Sequence, residues 1–264
     1  MTDPSAPIGL FDSGIGGTSI WNEIHALLPY EHCLYLADSK NAPYGEKNPE
    51  QILQLSIKNT EYLLDQGCKL IVVACNTATT NAIAYLRQHY DVPFIGIEPA
   101  IRPAALHSVN KTIGILATQG TLNSALFHDA TKSLAEDIKV IEVVGKGLVP
   151  LIESGAINSD ETRALLRDHL APMRSAQIDY LVLGCSHYPY LIPLLRELLP
   201  SNVVIIDSGE AVALQTQAVL KRADLLNPFK EKPRLTFWTN ADPSALIQLM
   251  LAHEGKITIG RKDF

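Results

Sequence analysis

Two stretches of this chain end a run of aliphatic residues on a cysteine followed by small polar residues: LIVVACNTAT at 70–79 and YLVLGCSHYP at 180–189. Such a run reads as a buried strand, which puts Cys75 and Cys185 each at a strand end. A cysteine at such a place is ordinarily a packing residue. Here each is followed by polar residues at the expected start of a helix, Asn76-Thr77 in one case and Ser186-His187 in the other. The positive end of a helix favours anions and draws a thiol down from its ordinary pKa of about 8.5. The amides of the same turn can hold a carboxylate. Two chemistries follow. Cys185 with His187 makes a nucleophile and base, as in a thiol hydrolase, and leaves Cys75 idle. Alternatively, one thiolate takes a proton from a carbon beside a carboxylate, and the opposing thiol returns one to the other face. That inverts a stereocentre without redox change, and without a metal or flavin. Each thiol then needs a polar partner to set its protonation state, with Asp12 a candidate for Cys75 and His187 for Cys185. Preorganised donors must also stabilise the developing carboxylate-enolate.

Other motifs are weaker. DSGIGGTS at 12–19 is glycine-rich, but counting from Gly14 the third position is Gly16 and the sixth is Ser19, and no Walker lysine follows. The dinucleotide fingerprint needs glycine at the sixth position too. A tight strand-to-helix turn whose amides can hold a carboxylate is the better reading, with Asp12 either a helix cap or a catalytic partner. NAPYGEK at 41–47 places Pro-Tyr-Gly in a loop, a plain turn or a lid over a small pocket. There is no CxxC or HxxxH pattern and the eight histidines are scattered, so no metal is expected; His89 and His169 read as solvated helix residues.

The elements that must position these residues alternate. Short apolar runs at 8–12, 33–38, 70–75, 92–97, 112–117, 138–144, 180–185 and 202–207 fit strands buried on both faces of a parallel sheet. Amphipathic segments lie between them, such as NPEQILQLSIKNTEYLLDQG, with Pro49 in its first turn and Gly67 at its end. The class is therefore α/β. IGLFDSGIGGT at residue 8 is echoed by IGILATQGT at 113, the cysteine runs recur 110 positions apart, and VPFIGIE at 92 is echoed by VVIIDSG at 203. The repeat predicts two pseudosymmetric α/β domains with mainly parallel sheets, and a site in the cleft where their carboxyl edges face each other. Two late strands, at 235–240 and 256–260 around a helix near 243–254, have no counterpart in the second half. The expected division is a discontinuous first domain, 1–97 plus 208–264, and a continuous second one, 98–207. A net charge of −6 and the absence of a long basic run argue against nucleic acid or an anionic membrane as partner. No apolar stretch reaches the roughly 18–20 residues of a membrane span. The N-terminus lacks a signal-peptide pattern, and the four cysteines show no disulfide-like spacing. A cytoplasmic protein is the simplest reading.

The segments GLFDSGIGG, YLADSKNAPYGEK, VVACNTAT, GILATQGT, LVPLIESG and LVLGCSHYP, taken together and in this order, resemble the cofactor-independent glutamate racemases. That resemblance implies Cys75 and Cys185 as the acid/base pair, each deprotonating one enantiomer, assisted by Asp12 and His187, with Glu153 a further candidate near Cys185. It implies substrate contacts from Asp12, Ser13, Tyr44, Gly45, Asn76, Thr77, Thr118, Thr121, Ser186 and His187. It further implies L- and D-glutamate as substrates, no cofactor, a homodimer, and supply of D-glutamate for peptidoglycan in a bacterial cytoplasm. The family usually has Thr where this chain has Ser186, which keeps the hydroxyl and lacks the methyl. Some relatives carry an N-terminal extension linked to activation by a cell-wall precursor; the short leader here leads us to expect no such activation. An aspartate or related amino-acid racemase, a thiol hydrolase and a binding module are the competing readings.

Overall fold

The computed structural model describes residues 3–264, so the first two residues of the expected first domain lie outside it. Among the described residues ten strands form in chain order: β1 Ile8–Asp12, β2 Cys33–Ala37, β3 Leu70–Val73, β4 Phe94–Gly96, β5 Thr112–Ala117, β6 Lys139–Val144, β7 Tyr180–Gly184, β8 Val204–Ile206, β9 Leu235–Thr239 and β10 Thr258–Arg261. Every pairing is parallel. One sheet has the order β10-β9-β2-β1-β3-β4 and the other β6-β5-β7-β8. The α/β class with two mainly parallel sheets therefore stands.

The order 2-1-3-4 is common to both sheets, with β5, β6, β7 and β8 taking the places of β1, β2, β3 and β4. In each sheet the chain leaves the first strand toward one side and comes back on the other, so a crevice opens at its carboxyl end, where such folds bind ligands. β1 and β3 run in register to Phe11 opposite Val73, and β5 and β7 to Ala117 opposite Gly184. The next residues at those four strand ends are Asp12, Ala74-Cys75, Thr118 and Cys185. β9 and β10 extend the first sheet beyond β2.

The sequence explains the elements locally. Every residue of β1, β2 and β3 is buried, as unbroken apolar runs require when both faces are covered. The helix Pro49–Asp65 starts on a capping box between Asn48 and Gln51 with proline in its first turn. The helix Asn76–His89 starts on Cys75, whose Sγ accepts from the Ala78 amide at 3.4 Å. The second cysteine turn differs from the expectation: no α-helix starts at Ser186-His187. A 3-10 turn at Tyr188–Leu191 comes first, and the α-helix begins only at Ile192. Pro189 and Pro193 lack N–H groups, and each sits where only the start of a helical segment tolerates it.

Candidate active site

The carboxyl edges of the two sheets meet, and a narrow cavity lies between them. Its wall includes Ser13, Tyr44, Gly45, Cys75, Asn76 and Thr77 from the first sheet's loops. The second sheet's loops contribute Thr118, Cys185, Ser186 and His187. Ten of the expected site residues thus border one space, with both thiols among them. Asp12, Glu153 and Thr121 stand behind that wall. Pro43 and Val149 also border it and were not singled out from sequence, although both lie inside quoted motifs.

Behind Cys185 the charges are ordered. His187 Nδ1 lies 3.8 Å from Cys185 Sγ, and its Nε2 is 2.5 Å from Glu153 Oε1. Burial works against a charged ring. The hydrogen bonds to Cys185 and Glu153, with the Asp12 carboxylate nearby, outweigh it and hold His187 well above the usual imidazole range. Burial likewise opposes the Glu153 charge, but the imidazolium and the hydrogen bonds from Ile15 and Ser39 bring its pKa below the usual value. Both shifts favour an imidazolium paired with a carboxylate.

Behind Cys75 the surroundings have the opposite sign. Asp12 is fully buried, accepting from the Gly17 amide at 2.8 Å and from the Ser186 hydroxyl at 3.2 Å. Burial raises the Asp12 carboxyl. Burial, reinforced by the Asp12 charge, pushes the Cys75 thiol well above its ordinary value despite the Ala78 amide on its sulfur. The expected acidifying effect of the helix start is therefore reversed at Cys75, because one amide contact does not offset desolvation and a neighbouring carboxylate.

The glycine-rich loop has a packing explanation. A Cβ on Gly14 would lie 1.9 Å from Glu153 Oε1, and one on Gly16 would lie 2.2 Å from His187 Nδ1. The loop must lie bare against the opposing half. Its amides do hold carboxylates, as expected, but they belong to the protein: Ile15 N donates to Glu153 Oε1 at 2.7 Å, and Gly17 N to Asp12. Asp12 is thus a turn-closing acceptor and a neighbour of Cys75 and His187.

Further bonds close the cleft. Ser39 Oγ donates to Glu153 Oε2 at 2.8 Å, Ser19 Oγ donates to the Ser186 carbonyl at 2.8 Å, and Thr18 pairs with the Tyr190 hydroxyl at 2.5 Å. Ser39, Ser19, Thr18 and Tyr190 were not singled out from the sequence, although the first three lie inside quoted motifs. The hydroxyls of Thr77 and Thr118 meet at 2.8 Å, and Thr118 donates to Thr121 Oγ1 at 3.0 Å. Tyr44 turns its hydroxyl to Asp38 at 2.5 Å and accepts from Asn59 at 3.1 Å. Both polar atoms of the Asn76 amide are buried and without a partner. A buried amide in that condition calls for a ligand or water.

The Asp/Glu/Hydantoin racemase family description matches residues 16–216. A glutamate racemase of Herpetosiphon aurantiacus is 44% identical over 238 residues, covering 90% of this chain and 94% of that protein. The crystal structure of a Bacillus anthracis glutamate racemase superposes with a TM-score of 0.87 at 30% identity, covering 98% of both chains. An Escherichia coli glutamate racemase, solved with L-glutamate and the activator UDP-MurNAc-ala, superposes with a TM-score of 0.83 at 30% identity, covering 97% of this chain and 98% of that one. A glycine loop fitted against an imidazolium–carboxylate pair, two thiols on one cavity and this breadth of similarity agree: the chain belongs to the Asp/Glu/hydantoin racemase family.

Proposed function

We propose that this protein is a glutamate racemase, an isomerase that interconverts L- and D-glutamate by a cofactor-independent two-base mechanism with Cys75 and Cys185 as the bases. The observation that carries the reading is that both thiols border one cavity, on loops from opposing sheets. A substrate α-carbon held between them presents one face to each sulfur. One cysteine, as thiolate, removes the α-proton; the planar carboxylate-enolate is then reprotonated on the other face by the opposing thiol. The result is inversion, with the two cysteines exchanging protonation states.

The surroundings support this division of labour. His187 places a donor 3.8 Å from the Cys185 sulfur, while burial, reinforced by Asp12, favours a neutral thiol at Cys75. The unpartnered Asn76 amide and the amides and hydroxyls of Ser13, Thr77 and Ser186 offer donors to the reacting carboxylate, whose charge grows in the transition state. The Thr118–Thr121 hydroxyls and the Tyr44–Gly45 backbone are suited to a second carboxylate. The similarity to glutamate racemases extends the proposal to a homodimer in the cytoplasm that supplies D-glutamate for peptidoglycan. It extends also to a first domain of residues 1–97 plus 208–264 and a second of 98–207.

The competing racemase reading is an aspartate enzyme. Polarimetry with L-glutamate and L-aspartate, each without added cofactor, separates them. Glutamate turnover at least 100-fold above aspartate is expected, about what a misplaced carboxylate costs a site that hydrogen-bonds it. Faster aspartate turnover overturns the assignment.

A further inference from the structure

The cavity that holds both thiols leaves only about 10 Å³ for the centre of a water molecule, which is room for one water. Glutamate must therefore reach it through an opening of the cleft. A second cavity of about 600 Å³ adjoins it and shares Pro43, Gly45, Thr118 and Val149 with it. The doorway between the two is tight, since a Cβ on Gly45 would lie 2.8 Å from Thr118 Cβ. Gly45 and Thr118 belong to loops of opposite sheets, so parting the sheets widens this gap.

The larger cavity has a lysine on each side of that doorway. Lys47 follows Gly45 by two residues, and Lys146 lies in the turn between β6 and the helix Leu148–Glu153. Neither is in an ion pair among the described residues. One acidic side chain, Glu46, also lines the space, leaving it net positive in a chain of net charge −6. Glutamate is a monoanion with two carboxylates at neutral pH. The overall field repels it, whereas the local excess of positive charge attracts it over the roughly 10 Å that charge reaches at 0.1 M salt.

We propose that Lys47 and Lys146 form a positive mouth to the site that draws anionic substrate into the outer cavity ahead of cleft closure. The inference rests on glutamate as the substrate. It makes the two lysines binding and steering groups, with no contact to the reacting atoms.

The test is steady-state racemisation by Lys47→Gln, Lys146→Gln and the double variant across a salt series. At low ionic strength the double variant is expected to raise KM about 5- to 10-fold with kcat within twofold of wild type. The difference should shrink toward unity as salt screens the wild-type field, and Lys→Arg at both positions should restore KM. A double-variant KM equal to wild type at low salt overturns the proposal. So does a KM increase that persists undiminished at high salt, which would report lost packing. Failure of the wild-type chain to racemise glutamate overturns the functional reading and this inference together, whereas a normal wild type with indifferent lysine variants overturns this inference alone.

Discussion

At Cys75 and Cys185 the same side chain meets opposite charges: a buried carboxylate at Asp12 beside one, and an imidazolium 3.8 Å from the other. Glu153 maintains the second of these by accepting from His187 at 2.5 Å. With His187 raised above the ordinary imidazole pKa, its charge persists until pH passes that raised value. Removing the Glu153 charge removes one cause of the rise, so His187 loses its proton at lower pH. Glu153→Gln should therefore move the alkaline limb of the kcat/KM profile to lower pH and reduce the rate about 10- to 100-fold at neutral pH; an unmoved limb would place Glu153 outside the proton circuit. The two cysteines were conspicuous in the sequence because each interrupts the polarity of a strand end. Ser39, Thr18 and Tyr190 were not, because their roles exist only across the closed cleft. The reversal at Cys75 was equally hidden: the helix start is a local pattern, while the burial that opposes it, reinforced by the Asp12 charge from a neighbouring strand, exists only in the packed fold.

Between the elements, strand ends far from the cleft hold the sheets in place. Asp179, just before β7, accepts from Ser108 Oγ at 2.6 Å, the Val109 amide at 2.6 Å and the Asn110 amide at 2.8 Å, tying the loop before β5 to the strand that carries Cys185. Burial opposes its charge, but these hydrogen bonds outweigh it and keep the carboxyl below its ordinary pKa. A depressed pKa stabilises the fold above the unfolded value of about 3.9 and loses that contribution as pH falls through the folded one. Asp179→Ala should lower stability by about 1–3 kcal/mol at pH 7, seen as a reduced urea midpoint. The gap from wild type should narrow below about pH 4; a gap that is constant with pH would mean that the carboxylate charge is not what matters. The central strands β1, β2 and β3 were legible because both faces are covered and the apolar runs are unbroken, whereas β6 and β8, expected to be buried in the same way, lie at a sheet edge and are only partly covered. The strand ends were less legible. The α-helix expected at Ser186-His187 begins only at Ile192, after a 3-10 turn, with Pro189 and Pro193 each in the first turn of its segment.

For the molecule as a whole, the repeat legible at about 105–111 positions corresponds to two sheets of common strand order, facing edge to edge. That duplication explains why a site with one thiol per wall can arise: each half supplies the same strand end, and the cleft between them offers two faces to one carbon. The facing of the halves, and the bonds that shut the cleft on a space the size of a water molecule, could not be read from a repeat alone. In the proposed reaction this closure keeps water from the carbanion, and the bonds through Glu153, Ser19 and Tyr190 part to admit substrate. Among the described residues no helix is long and apolar enough to cross a membrane.

The most direct test of the two-base claim is incubation with L-glutamate in deuterated water without added cofactor, following optical rotation and the α-proton signal together. The wild-type chain should lose rotation while deuterium appears at the α-carbon, and Cys75→Ser and Cys185→Ser should each reduce racemisation by on the order of 10²–10⁴-fold. Full racemisation by either single variant, or persistence of both rotation and the α-proton in the wild type, would contradict it.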